Sequence, residues 1–264
     1  MPGFGRNKTS NFYAPYLASN ALKNDQELKH KPMEIEQVNF VEGAKNAEGI
    51  AVIIDVFRAF SVACYCMSKG VAKIFPVGEV DLARELSKTI GAAVLIGERK
   101  GKRLPGFDYG NSPTEILAAD LKGKIIIHTT HAGTQGIVNA TRADEVLTGA
   151  FVNAKATSEY IKSRNPEKVT LVKMGLEAIK ASDEDDLCAE HIESLLNNQD
   201  FDRYEAVRTM RESPFSARFF DPERPWSPPS DFDLCMDIDR FNFALRVSKD
   251  SSGNFNLERI DINS

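Results

Sequence analysis

From residue 50 onward, short apolar runs alternate with longer amphipathic ones, and this alternation constrains the fold more than any other feature of the chain. The apolar runs are predicted to be strands at residues 50–56, 73–76, 92–96, 124–128, 145–148 and 169–173. The amphipathic stretches are predicted to be helices at residues 59–68, 80–90, 134–140, 154–163 and 183–196. Nearly continuous apolar strands separated by helices are typical of a mostly parallel sheet with helices on both faces. The sequence therefore predicts an α/β fold.

The two ends of the chain depart from this alternation. Residues 1–33 are polar, with a weak helical pattern over 17–28, and predict an N-terminal tail or arm. Residues 200–232 contain five prolines, which favours a loop-rich section over a regular βα unit. Short strands are predicted after it, at residues 232–237, 243–247 and 255–259, as an antiparallel addition. We therefore divide the chain into a tail (1–33), an α/β catalytic core (34–200) and a C-terminal extension packed on the core (201–264).

The composition narrows the range of partners. The 264 residues carry a formal net charge of −5, whereas a nucleic-acid-binding protein normally presents a basic face. No apolar stretch approaches the ~20 residues of a membrane span, and the N-terminal residues lack the apolar core of a signal peptide. The four cysteines include no CxxC pair. We expect a cytoplasmic protein with reduced cysteines and with no nucleic-acid or membrane partner.

A long polar loop is predicted at residues 97–113, directly after the strand at 92–96. The segment is rich in glycine, acids and cations, and ordering so long a loop costs conformational entropy. Loops on a rigid scaffold are where binding and catalytic groups concentrate. Acidic and cationic side chains with exposed backbone N–H groups suit an anionic substrate and a metal ion.

The run 53–58 (IIDVFR) places an acid and a cation at the end of the first predicted strand. In open α/β sheets, ligands bind beyond the carboxyl ends of the strands. There Asp55 could hold Mg²⁺ and Arg58 could grip a tetrahedral anion, or Asp55 could only cap the helix that follows. The signature of the haloacid-dehalogenase phosphatases also begins with an aspartate at a strand end. It needs a second aspartate two residues later, where this chain has Phe57.

Two further motifs lie at predicted helix N-termini. Residues 129–134 (TTHAGT) would present free N–H groups as an oxyanion cradle, although any glycine-containing turn has this composition. Within them, His131 is either a general acid or an ordinary packed histidine. Residues 183–186 are four consecutive acids that follow Ser182. The helix dipole accounts for one or two of them, and metal coordination is the alternative for the rest.

These motifs are expected to meet in space. In a parallel sheet, the strand ends near Asp55, Glu98 and Thr129 open on one edge, together with the turn before Glu184. Carboxylates for a divalent ion would then lie beside arginines and backbone donors for a phosphate. This combination is what metal-assisted hydrolysis of a phosphate ester requires.

Four of these runs carry a family resemblance. The runs 55–59 (DVFRA), 97–99 (GER), 106–115 (GFDYGNSPTE) and 129–136 (TTHAGTQG) resemble the 2-phosphosulfolactate phosphatase family. The likeness covers roughly residues 35–200. It implies a Mg²⁺-dependent phosphatase of coenzyme M biosynthesis, which converts 2-phosphosulfolactate to 3-sulfolactate and phosphate.

The resemblance also implies roles for individual residues. Catalytic roles are implied for Asp55, Arg58, Glu98, Arg99 and Asp108. Substrate contacts are implied for Asn111, Ser112, Thr130, Gly133 and Thr134. Mg²⁺ is expected on Asp55 with help from Glu184 or Asp185. Asp55 is then either a nucleophile or only a ligand, and Glu98 or Asp108 is the base if water attacks.

The chain departs from the family at residues 173–175 (KMG) and 189–190 (AE), near the expected substrate pocket. Two alternatives therefore stay open. One is a phosphatase of the same family acting on another phosphorylated hydroxy acid, and the other is a non-catalytic protein that binds sulfonates or other anions. A small anionic organophosphate is the expected partner, and exposed edge strands would allow a homodimer.

Overall fold

The computed structural model describes residues 33–262, which form ten strands and nine α-helices. In chain order, the strands are β1 (Glu34–Asn39), β2 (Ile50–Ile54), β3 (Lys73–Pro76), β4 (Ala93–Arg99), β5 (Lys102–Arg103), β6 (Ile125–Thr129), β7 (Glu145–Gly149), β8 (Lys168–Lys173), β9 (Phe243–Lys249) and β10 (Phe255–Asp261). The helices are α1 (Phe40–Asn46), α2 (Ala59–Ser68), α3 (Val80–Ile90), α4 (Pro113–Ala118), α5 (Gly133–Asn139), α6 (Ala154–Arg164), α7 (Asp183–Leu196), α8 (Arg203–Glu212) and α9 (Pro229–Cys235). None of these helices is long and apolar enough to cross a membrane.

The ten strands form one sheet in the order β1-β8-β2-β7-β9-β10-β3-β6-β4-β5. Strands β1, β8, β2 and β7 are mutually parallel, and so are β3, β6 and β4. The antiparallel hairpin β9–β10 joins these two groups, because β9 pairs with β7 and β10 pairs with β3. The predicted α/β fold, a mostly parallel sheet with C-terminal antiparallel strands, is confirmed. The central position of these last two strands was not predicted.

The six predicted strands and five predicted helices from residue 50 to 196 are all present, with ends shifted by at most three residues. The largest shift is in β4, which continues to Arg99. It does so because Glu98 and Arg99 pair with Arg103 and Lys102 of β5 in a short hairpin. The first residues of the predicted loop at 97–113 therefore belong to the sheet.

The predicted strand at residues 232–237 is wrong, because Pro229–Cys235 is helix α9. Its aromatic and apolar content is typical of strands, but a proline in the first helical turn favours a helix. The loop-rich section also contains α8, and β1, α1 and α4 were not predicted. The tail at 1–33 and the helical pattern within it lie outside the described residues, except for Met33. The boundary between core and extension at residue 200 stays a prediction.

Strand β2 shows how the sheet is buried on both faces. All five of its residues are buried. Ala51 and Ile53 pack into the core on one face, and Val52 and Ile54 pack into the core on the other. A strand covered on both faces needs apolar residues at every position, which explains the unbroken run in the sequence. The four cysteines are also buried, as free thiols.

The central hairpin should contribute to stability as a core element does. Leu245 of β9 is 0% exposed, whereas Leu82 on α3 is 54% exposed. We expect Leu245→Ala to lower the free energy of unfolding by about 2–4 kcal/mol, because it leaves a cavity in the packed core. The matched change Leu82→Ala should alter it by less than about 0.5 kcal/mol. Urea unfolding of both variants measures the difference, and equal effects would contradict a central position for β9.

Candidate active site

A cavity of about 270 Å³ opens where the chain leaves the carboxyl ends of β2, β4 and β8. This is the edge at which parallel strands present ligand-binding groups. Its charged lining consists of Asp55, Arg58, Glu98, Lys100, Glu177, Glu184, Asp185, Arg218 and Arg224. Asn111 and His131 add further polar groups, and Phe57 and Trp226 add aromatic ones. The cavity therefore combines five acids with four cations.

Asp55 is held between two helix starts. Its Oδ1 atom accepts a hydrogen bond from the N–H of Ala59 at 3.1 Å, so it caps α2 while it also lines the cavity. A Cβ atom on Gly133 would lie 2.9 Å from Asp55 Oδ2. Only a glycine at position 133 therefore leaves room for this carboxylate. Gly133, which belongs to the predicted oxyanion cradle at 129–134, thus makes room for the side chain of Asp55.

Asp185 and Glu184 enter the cavity from the first turn of α7. The Oδ1 atom of Asp185 accepts from the N–H of Val56 at 2.9 Å, and Oδ2 accepts from the N–H of Gly175 at 2.7 Å. Asp185 therefore ties α7 to the chain ends of β2 and β8. In the part of the chain that the structure describes, Glu184 Oε2 is buried without a hydrogen-bond partner. This atom is an acceptor available to a ligand.

The carboxyl groups of Asp55, Glu184 and Asp185 all have pKa values above their ordinary ones. Burial raises the pKa of Asp55 to about 6 and that of Glu184 to about 7. Burial also raises the pKa of Asp185, and the charges of Glu184 and Asp55 raise it further. Each shift has the sign expected for acids withdrawn from water and placed near one another. A cation bound between them would reverse these shifts.

Glu98 anchors two turns at the rim. Its Oε1 atom accepts from the N–H of His131 at 2.9 Å, and Oε2 accepts from the N–H of Gly101 at 2.7 Å. Close by, Asn111 Oδ1 lies 3.2 Å from Nε2 of the buried His128. Burial lowers the pKa of His128 to about 4, so this histidine is neutral at physiological pH. Glu98 is thus fixed by two turns of the cavity wall, and Asn111 is fixed by His128, which lies outside the lining.

Arg218 is a cavity residue that sequence reasoning missed. It lies in the short 3₁₀ helix Ala217–Phe219, and its Nη2 atom donates to the carbonyl of Phe57 at 2.9 Å. Its buried Nε atom has no hydrogen-bond partner among the described residues. Its charge lowers the pKa of Glu184, whereas burial raises it. The only signal in the sequence was the pair of arginines at 218 and 224, inside a segment that reads as a loop.

The structure brings some of the predicted site residues together and places others elsewhere. Those that line the cavity are Asp55, Arg58, Glu98, Asn111, Glu184 and Asp185. Those outside its lining, within residues 33–262, are Arg99, Asp108, Ser112, Thr130, Gly133 and Thr134. The exposed Asp108 accepts from the N–H of Leu95 at 2.8 Å, and Thr130 and Thr134 bond to each other. Arg99 donates to Gly78 and Thr129, both at 3.2 Å.

Ser182 precedes α7, but its side chain makes no cap hydrogen bond. Three residues later, Asp185 turns both carboxylate oxygens to Val56 and Gly175. The third acid of the run 183–186 therefore fixes the turns around the cavity.

The donor set fits Mg²⁺. Within residues 33–262, no group of three or more His, Cys, Asp or Glu side chains has an arrangement ready to hold a metal ion. Mg²⁺ does not require one, because it usually keeps several waters and binds one or two carboxylates plus substrate phosphate. The partnerless Glu184 Oε2 and the raised pKa values of three neighbouring acids would suit a hard cation at this place.

The raised pKa of Asp55 predicts a pH-dependent stability in EDTA. Its folded-state pKa is about 6 and its ordinary value is 3.8, so between these values the folded state binds more protons than the unfolded state. The unfolding free energy therefore falls through this window as the pH rises, by about 2–3 kcal/mol from this group. Asp55→Asn removes that loss, and the variant should gain stability relative to wild type between pH 4 and 7.

Urea unfolding at pH 4 and at pH 7 measures this gain in the unfolding free energy of Asp55→Asn. The control is Asp81→Asn, because the Asp81 side chain is 91% exposed on α3. Its difference from wild type should not change with pH. At pH 7, Mg²⁺ should reduce the difference in unfolding free energy between wild type and Asp55→Asn. A difference in unfolding free energy between wild type and Asp55→Asn that does not change with pH would contradict the raised pKa of Asp55.

The sequence profile of the 2-phosphosulpholactate phosphatase family matches residues 37–217. The match includes Asp55, Glu98, Glu184 and Asp185, and it ends one residue before Arg218. It covers more than half of the chain.

Curated relatives agree with this match. A probable 2-phosphosulfolactate phosphatase of Carboxydothermus hydrogenoformans is 40% identical over 168 residues, which are 63% of this chain and 69% of that protein. One of Caldanaerobacter subterraneus is 37% identical over 51% of this chain and 56% of that protein. One of Bacillus subtilis is 30% identical over 76% of this chain and 88% of that protein. The chain therefore belongs to the 2-phosphosulpholactate phosphatase family and, with it, to the phosphoric monoester hydrolases.

Proposed function

We propose that this protein is a Mg²⁺-dependent phosphatase that hydrolyses 2-phosphosulfolactate to 3-sulfolactate and phosphate. The observation that carries the proposal is the cluster of Asp55, Glu184 and Asp185, buried beside Arg218 in one cavity. The names of the relatives supply the substrate. A role in coenzyme M biosynthesis and a cytoplasmic location belong to the same proposal and rest on the family resemblance.

The charges of the cavity support a cation-dependent reaction. Two of its four cations are ion-paired with acids that do not line it: Arg58 with Asp231, and Arg224 with Asp221 at 3.1 Å. Lys100 and Arg218 therefore face five acidic side chains. A cavity with this excess of acids would repel a phosphate ester by itself. A divalent cation would offset most of the excess, and a protein that only binds anions would gain nothing from the five acids.

In this proposal, Asp55 holds Mg²⁺ together with Glu184 or Asp185. When bound, the ion polarises the phosphoryl group and lowers the pKa of a coordinated water. Arg218 neutralises charge on the phosphoryl oxygens, through a guanidinium that its bond to Phe57 holds in place. Phosphoryl transfer depends mainly on such positioning and charge stabilisation.

The attacking oxygen is that of water, and Glu98 is the base. Of the two predicted bases, Glu98 lines the cavity, whereas Asp108 is exposed outside it. Glu98 accepts the proton of the attacking water as the phosphorus–oxygen bond to the substrate breaks. It then returns a proton to the departing hydroxyl oxygen, so that an alcohol and inorganic phosphate leave.

A second candidate is a phosphatase of the same family that acts on a larger phosphorylated hydroxy acid. A neighbouring cavity of about 560 Å³ shares Leu176, Arg218 and Arg224 with the first and adds Lys180. A three-carbon ester does not need this space. The second cavity therefore favours an ester with a longer acidic chain.

Phosphate release tests the function directly. We expect fast release from 2-phosphosulfolactate in Mg²⁺ and at least about tenfold slower release in EDTA, because the acids then stay uncompensated. 2-Phospholactate, which lacks the sulfonate, should be the poorer substrate. Preference for a longer ester would favour the second candidate. Release that is equally fast in EDTA would contradict the proposed metal dependence.

Glu184 provides a test by substitution. We expect Glu184→Gln to lower kcat/KM roughly 10- to 100-fold and to raise the Mg²⁺ concentration needed for half-maximal rate, because it removes one charge from the cation site. The matched control is Glu190→Gln, an exposed residue of the same helix, with a change of less than about twofold. Thermal melting in EDTA checks that both variants fold. Equal rates for the two variants would remove Glu184 from the site.

A further inference from the structure

We propose that Asp231 is a positioning residue of this active site. It holds the Arg58 guanidinium and, through it, ties the turn at Gly101 to the segment around Trp226. Asp231 lies beyond residue 217, where the family match ends. The inference uses the proposed function only for its kinetic readout.

Asp231 is a fully buried carboxylate in the first turn of α9. Its Oδ2 atom forms an ion pair with Nη1 of Arg58, whose side chain is 4% exposed. Its Oδ1 atom accepts from Ser112 Oγ at 2.8 Å and from the N–H of Thr114 at 3.0 Å. A buried ion pair is stable only when further hydrogen bonds satisfy its remaining atoms. Here both carboxylate oxygens are satisfied.

The guanidinium of Arg58 is engaged by three acceptors. Besides Asp231, Nη1 donates to the carbonyl of Trp226 at 3.0 Å, and Nη2 donates to the carbonyl of Gly101 at 3.2 Å. These contacts use three of the five N–H donors of an arginine. Arg58 lines the cavity together with Gly101 and Trp226, and the three acceptors fix the orientation of its guanidinium.

Two residues of the motifs that resemble the family, Arg58 and Ser112, thus contact Asp231. The resemblance implies a catalytic role for Arg58 and a substrate contact for Ser112. In the structure, Ser112 caps α4 by accepting from the N–H of Glu115 and donates its own proton to Asp231. Asp231 therefore connects the chain after β2, the start of α4 and the C-terminal segment. Its loss would release Arg58 into the cavity.

Trp226 makes this arrangement measurable without an assay of activity. It is the only tryptophan of the chain. Its carbonyl accepts from Arg58, and the ammonium group of Lys102 lies 4.3 Å from the centre of its ring. A Cβ atom on Gly101 would lie 3.6 Å from its Nε1 atom. Tryptophan fluorescence therefore reports on the contact between the 101 turn and the C-terminal segment.

The kinetic test is a double-mutant cycle. We expect Asp231→Asn to lower kcat about 10- to 100-fold, with a smaller change in KM, because a displacement near 1 Å at the site has effects of this size. In an Arg58→Gln background, Asp231→Asn should lower kcat further by less than about twofold, because Asp231 acts through Arg58. The control is Asp233→Asn on the same helix, whose side chain is 62% exposed and pairs with Arg211. Multiplicative losses at 58 and 231 would overturn the proposal.

The fluorescence test separates this proposal from the proposed function. Asp231→Asn should increase quenching of Trp226 by acrylamide and shift its emission to longer wavelength, whereas Asp233→Asn should do neither. Ser112→Ala, which removes one bond to Asp231, should give a smaller change of the same sign, and it serves if Asp231→Asn does not fold. Unchanged quenching in folded Asp231→Asn would overturn the proposal. If wild type hydrolyses none of the esters, the proposed function fails while this comparison still decides the role of Asp231.

Discussion

The burial of carboxylates at one edge of the sheet is the constraint on which the rest of this site depends. Asp55, Glu98 and Asp185 are each at most 8% exposed, and an uncompensated buried charge is very costly. Each of these acids accepts hydrogen bonds from backbone N–H groups. Asp55 accepts from Ala59, and Glu98 accepts from Gly101 and His131. Asp185 accepts from Val56 and Gly175. The acids therefore fix the turns around the cavity, and the turns keep the acids in it.

The end of the chain completes both the sheet and the site. Without β9 and β10, the parallel strands β7 and β3 would each present an unpaired edge at the middle of the sheet. The segment between α8 and β9 supplies Arg218 to the cavity and Asp231 to Arg58. Both lie beyond the part of the chain that matches the family. What the matched part arranges at its strand ends is thus completed by residues that follow the match in the chain.

Much of the site could be predicted from the sequence, because Asp55, Glu98 and Glu184 follow or end regular elements whose geometry is general. Parallel strands share one direction, so residues after their carboxyl ends must meet. Ser112 and Asp108 lie outside the cavity lining and bond to Asp231 and to the N–H of Leu95. The sequence does not show this, because the same polar side chain can bond to the protein itself or to a ligand. Arg218 and Asp231 could not be found, because their partners Phe57 and Arg58 lie more than 150 residues away. No local pattern encodes such a contact.

The charge balance of the cavity links the metal to the substrate. Arg58 and Arg224 are paired with Asp231 and Asp221, which do not line the cavity. The five acids of the lining therefore outweigh Lys100 and Arg218, and this charge favours cations. In the proposed function, a divalent ion would offset most of the excess, and a phosphate ester could then bind to the same ion. Each would raise the affinity of the other by the same factor, as thermodynamic linkage requires. In the proposed function, the buried acids, which by themselves weaken the folded protein, would make anion binding depend on the metal.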